Sequence, residues 1–89
     1  MSDEKQIVVF NEILLECDRQ HSKVVGWSME HDDNHSIEDF SRFIANYANW
    51  AGQKASQDKM ADARKRMIQV AAMAVQCVLS IDRRSIIAG

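Results

Sequence analysis

The 89-residue chain has no proline, three glycines and two cysteines. Strands of a small sheet protein need turn residues every few positions, and helices do not. Their scarcity points away from a β-rich fold. Cys17 and Cys77 both sit inside helical patterns and stand in no metal-ligand spacing. They read as buried thiols of a reducing compartment, not as a disulfide framework. Charge of one sign is also lacking: 11 Lys and Arg face 13 Asp and Glu, for a net charge of -2. A generic nucleic-acid binder carries a basic excess that is absent here. No apolar run reaches membrane-spanning length, and the start Met1-Ser2-Asp3-Glu4-Lys5 does not read as a signal peptide. No membrane partner is expected, and a cytoplasmic location is. Gly-x-Ser-x-Gly, a Walker-type glycine loop and His-Glu-x-x-His are all missing, so no catalytic residue is assigned.

What is present is apolar and helical. Hydrophobic residues make up 46% of the chain, far too many for a disordered protein. A single core of this size is marginal, since a short chain leaves much of its surface in water. Part of that apolar surface is therefore expected to be covered by another chain. Ile7, Phe10, Ile13, Leu14 and Cys17 follow a helical spacing, widened by Val8, Val9 and Leu15, after a start at Asp3. Ser36 with Asp39 resembles a capping box, and Phe40, Phe43, Ile44, Tyr47 and Ala51 mark the next helix, with Gly52 as its stop. Met60, Ala63, Met67, Val70, Ala71, Ala74, Val78 and Ile81 give a third, long helix. Small residues at 71, 72 and 74 allow close approach of a neighbour. The sequence thus predicts a single all-α domain with helices over 3–22, 37–52 and 58–83 and a loop over 23–36. This three-helix unit is expected to assemble into a dimeric or larger helical bundle.

The loop is long for a bundle connection, where 2 to 8 residues is usual. Long ordered loops often carry function, and Trp27 is its expected anchor. His31, Asp32, Asp33 and His35 form its densest ligand-type cluster. Their expected use is capping and loop hydrogen bonding ahead of Ser36, not transition-metal binding. Glu12 and Glu16 share one helix face, and Glu38 and Asp39 begin the next helix. Facing carboxylates from two helices are how bundles hold divalent metal, so these four are the candidate magnesium ligands. The basic run Arg64-Lys65-Arg66 lies in the N-terminal half of its helix, where the macrodipole disfavours positive charge. That local conflict marks a candidate anion site.

The segments Glu16-Cys17-Asp18-Arg19-Gln20, Gly26-Trp27-Ser28-Met29-Glu30-His31-Asp32-Asp33-Asn34-His35 and Glu38 resemble a family of small phage and prophage proteins. Those carry a Glu-Arg-x-Arg-Gln element, a Gly-Trp-Thr-Pro-Glu-His-Asp-Asp-x-His loop and a Gly-Glu-Leu helix start. Their last helix ends in Asp-Arg, as Asp82-Arg83 does here. That family is in turn similar, more weakly, to the MazG-type all-α nucleoside triphosphate pyrophosphohydrolases. The resemblance implies acids from two helices around magnesium, and Glu38-Asp39 match the first pair. Arg42 stands where a further acid belongs, and Arg64-Lys65-Arg66 stand where the later acids belong, with only Asp62 near. Replacing carboxylate by guanidinium removes a metal ligand and adds a phosphate fork. The expectation is therefore non-catalytic binding of a nucleotide or other phosphorylated ligand, used by a phage in the host cytoplasm in counter-defence. Arg42, Arg64, Lys65 and Arg66 would supply charge, and Trp27 and Tyr47 stacking faces. Two alternatives stay open. One is a magnesium-dependent nucleotide pyrophosphohydrolase, and the other a protein–protein inhibitor of a host protein.

Overall fold

The computed structural model describes the backbone of residues 3–22 and 29–88, and their side chains apart from positions 29, 31 and 86–88. Helices α1 (Asp3–Gln20), α2 (Met29–Asp33), α3 (Ile37–Ser56) and α4 (Met60–Ala88) follow in order. No strand occurs among the described residues. No described helix is long and apolar enough to cross a membrane.

α1 begins with Asp3 and Glu4 at its positive end and closes with Arg19 at its negative end. It stops two residues short of the expected limit. The Ser22 N–H bonds the Arg19 carbonyl at 3.1 Å, tightening the last turn instead of extending the helix. The loop expected over 23–36 contains the short helix α2. Trp27 and the rest of residues 23–28 lie outside the described residues.

α3 starts where the sequence placed it. The Asp39 N–H donates to Ser36 Oγ at 3.1 Å and the Ser36 N–H donates back to Asp39 Oδ2 at 3.3 Å. Two orphan donors are thus satisfied reciprocally. The expected stop at Gly52 is corrected: the helix runs on to Ser56. Its end is made instead by Asp58, which holds a left-handed φ of 57°. The Asp58 N–H then reaches the Ala55 carbonyl at 3.1 Å and the Lys59 N–H the Lys54 carbonyl at 2.9 Å. This is a Schellman closure with aspartate in the usual glycine position. α4 then starts at Met60 and runs to Ala88, past the expected end at 83.

α4 is the centre of the molecule. α3 lies antiparallel along one side of it, α1 lies on another side, and the backbones of α1 and α3 stay more than 8 Å apart, Cα to Cα. α1 meets α4 where Cys17 Sγ lies 3.9 Å from the carbonyl of Ala72, a residue with no exposed surface. Burial raises the pKa of the Cys17 thiol, and that of Cys77 less deeply inside.

The face of α4 turned inward is small and polar. Gln69, Ala72, Met73, Gln76 and Ser80 are buried on it. Much of the apolar repeat read from the sequence points outward instead. Met60 is 64% exposed, Met67 52% and Val78 56%. On α1, Phe10, Leu14 and Leu15 are each more than half exposed. Two helices thus carry an apolar face beyond the one that the fold covers.

Candidate functional site

The loop motif has a structural use. Asp32, 3% exposed, accepts a bond from His21 Nε2 at 2.8 Å and so ties α2 to the end of α1. Asp33 accepts from Ser80 Oγ at 2.8 Å and from the Arg83 guanidinium at 2.8 and 3.2 Å. The Arg83 guanidinium, then the Ser80 hydroxyl, hold the Asp33 carboxyl below its ordinary pKa. Arg84 donates to the carbonyls of Asp32 and His35. The His35 ring lies 5.6 Å from that of Phe43. Two arginines of α4 therefore clamp α2 and the entry to α3. The side chain of His31 lies outside the described residues. No group of three or more metal-ligand side chains assembles among the described residues.

The four candidate magnesium ligands do not come together. Glu12 and Glu16 are on α1, Glu38 and Asp39 on α3, and no Cα of one helix comes within 8 Å of a Cα of the other. Glu12 is gripped by Arg64, which donates two bonds of 2.6 and 2.7 Å to its two oxygens. That fork keeps Glu12 ionised below its ordinary pKa and raises that of Arg64. Glu16 accepts two bonds from Arg19, at 2.8 and 2.5 Å, and one from Gln20 at 3.1 Å. Asp39 is occupied by the helix cap and by Arg42. Carboxylates already held by guanidinium and backbone donors do not fit a magnesium centre, which needs free oxygen donors in near-octahedral array. Arg42 itself, paired on the exposed start of α3, stands apart from the other expected cations.

Two of the expected cations do share a site with the α1 acids. Glu12, Glu16, Arg64 and Lys65 line one open groove of about 320 Å³ between α1 and α4, joined by Arg19. Lys65 makes no ion pair among the described residues. Next to this groove α1 and α3 diverge over the inner face of α4, and a polar seam crosses the gap. Gln20, 2% exposed, donates to Glu16 at 3.1 Å and to the Gln69 carbonyl at 3.4 Å. Gln69 Oε1 accepts from Arg66 at 3.0 Å. The Arg66 guanidinium carbon lies 5.3 Å from the Trp50 ring centre and 5.8 Å from that of Tyr47. The two rings are 4.9 Å apart and tilted by 46°. Tyr47 also lies close enough to Arg19 to add, after Glu16, to the raising of its pKa.

Two of the three cations in the N-terminal half of α4 are thereby accounted for. Arg64 is compensated by Glu12 and Arg66 by two ring faces, at about 0.5–1 kcal/mol for an exposed cation–π contact. The seam sets Arg66 beside a half-exposed indole and runs through Gln69 and Gln20 to the Glu16–Arg19 pair, with Lys65 in the adjoining groove. Such a surface stacks a planar ring and neutralises an anion. Tyr47, Lys65 and Arg66 were legible from the sequence, whereas Arg19, Trp50, Gln20 and Gln69 were not. Spacings of three residues, Tyr47–Trp50, Glu16–Arg19 and Arg66–Gln69, were the available signal. Neither a family model nor a curated protein nor a solved structure matches this chain.

Proposed function

We propose that this chain is a non-catalytic binding protein for a nucleotide or similar phosphorylated, aromatic ligand, working as a homo-oligomer. The observation that carries it is Arg66 lying over both Tyr47 and Trp50, linked through Gln69 and Gln20 to the Glu16–Arg19 pair of α1. A base stacked on an exposed indole gains about 1–3 kcal/mol. Guanidinium groups fork phosphate oxygens. Turnover is not part of this reading, because Glu12, Glu16 and Asp39 are committed to arginines and a cap. The likeness to small phage proteins, and with it a role in counter-defence within the host cytoplasm, belongs to the same proposal. The homo-oligomer is supported by the large apolar side chains left outside α1 and α4.

Calorimetric titration against a panel of mono-, di- and cyclic nucleotides tests the reading. Saturable binding is expected, weakened at least about tenfold by Arg66→Ala or Trp50→Ala, which corresponds to about 1.4 kcal/mol. Release of pyrophosphate from nucleoside triphosphates with magnesium overturns the non-catalytic assignment. Absence of heat with every nucleotide overturns the ligand.

A second reading, inhibition of a host protein, is favoured by the outer face of α1. Ile7, Phe10, Leu14 and Leu15 are exposed there beside Glu4 and Asp18. That face suits an amphipathic partner with basic edges.

A further inference from the structure

The homo-oligomer reading leaves open which face pairs, and the outer side of α4 has features that decide it. Met60, Met67, Ala74 and Val78 are exposed and Ala71 half-buried, all on one side of the helix at spacings of three, four and seven. The middle of this stripe is small, at Ala71 and Ala74, and its ends are large. Arg64 lies on the same side near its N-terminal end, its guanidinium forked to Glu12 on one edge and its side chain still 54% exposed. Asp82 follows Arg64 by 18 positions, five turns at about 3.6 residues each, so it lies on that side at the other end. Both are exposed.

We infer that α4 pairs with α4 of a second copy, antiparallel, with Ala71 and Ala74 at the crossing. Opposed running directions place Arg64 of one copy beside the Asp82 end of the other, at both ends of the contact. Parallel pairing sets Arg64 on Arg64 and Asp82 on Asp82. The two alanines let the helix backbones approach at the centre, and Val78 of one copy falls opposite Met67 of the other. Alongside, an apolar groove of about 570 Å³ between α3 and α4, walled by Ala51, Gly52 and Ala55, receives the larger side chains. The outer face of α1 lacks this self-complementarity. Its charges, Glu4 at one end and Asp18 at the other, repel a second copy in either direction.

This inference rests on the homo-oligomer reading, and the test separates the two. Single cysteines are placed at Ala71, Ala74 and Met60 and treated with a short thiol-specific cross-linker, with the parent chain as control for Cys17 and Cys77. Sedimentation of the same samples gives the mass. Antiparallel crossing predicts a covalent dimer from Ala71→Cys or Ala74→Cys. It predicts none from Met60→Cys, whose two copies stand about 36 Å apart at ~1.5 Å per residue. Dimers from all three positions mean parallel pairing and overturn the inference. An oligomer by mass with no cross-link at 71 or 74 overturns this face alone. A monomer overturns the homo-oligomer reading with it.

Discussion

Asp33 carries the clamp between α2 and α4, and its chemistry sets an acid-dependent term. Its carboxylate holds Arg83 and Ser80, and its pKa lies below the ordinary 3.8. A carboxylate with a depressed folded-state pKa contributes stability that is fully present above its unfolded value. That stability is lost as pH falls through the folded value. Asp33→Asn is therefore expected to lower the melting temperature at pH 7, and the gap from the parent is expected to shrink between pH 4 and pH 2. Thermal melts at a series of pH values measure it, and a gap that stays constant removes Asp33 from the clamp. The position of the cap at Ser36 was legible because its partner, Asp39, is three residues away. The use of Asp33 as an arginine ligand was not, because Ser80 and Arg83 come some 50 positions later. A dense His and Asp cluster looks the same in sequence whether its partners are a metal ion or the end of another helix.

At the scale of elements, the end of α3 shows how a local signal is overridden. Gly52 was a reasonable stop, since glycine favours the left-handed conformation that closes helices. In the structure it lies inside the helix, with open space around the position a Cβ would take. Asp58, whose short side chain tolerates that conformation better than most, closes the helix. The two positions therefore predict opposite signs. Gly52→Ala is expected to stabilise by about 0.5–1 kcal/mol, the usual helix-interior difference. Asp58→Ala is expected to destabilise by about 1 kcal/mol, because alanine pays the Cβ clash at positive φ without a compensating side chain. Urea unfolding of both variants decides the matter. Destabilisation by Gly52→Ala contradicts a helix that continues to Ser56. The candidate site was partly legible by the same logic. Tyr47, Lys65 and Arg66 stood out by residue type, while Trp50 and Arg19 join them only because α1 and α3 are set apart on α4.

At the scale of the whole molecule, the apolar period of α4 was legible but its direction was not. A stripe at helical spacing states which residues share a face, and nothing in the period says whether that face looks at α1 and α3 or away from them. The inner face turned out to be Gln69, Ala72, Met73, Gln76 and Ser80, with the Gln69 carbonyl and the Gln76 side chain bonded across to α1. Gln76 reaches the Cys17 carbonyl at 3.5 Å, so a polar side chain takes a core position that a pattern of apolar residues passes over. The outer face keeps Met60, Met67 and Val78 in contact with solvent in one copy. If a second copy covers them, folding and association are linked. Anything that binds only the native state raises its stability with concentration. The melting temperature of the parent chain is therefore expected to rise between about 1 and 100 μM, since a coupled dimer gains roughly RT ln of the concentration ratio, about 2.7 kcal/mol for a hundredfold change. Ala74→Glu places a charge at the proposed crossing while leaving the inner face untouched. It is expected to flatten that concentration dependence without abolishing the helical signal. Leu14→Glu, on the outer face of α1, is expected to leave the dependence in place. A dependence removed by Leu14→Glu and kept by Ala74→Glu moves the interface from α4 to α1.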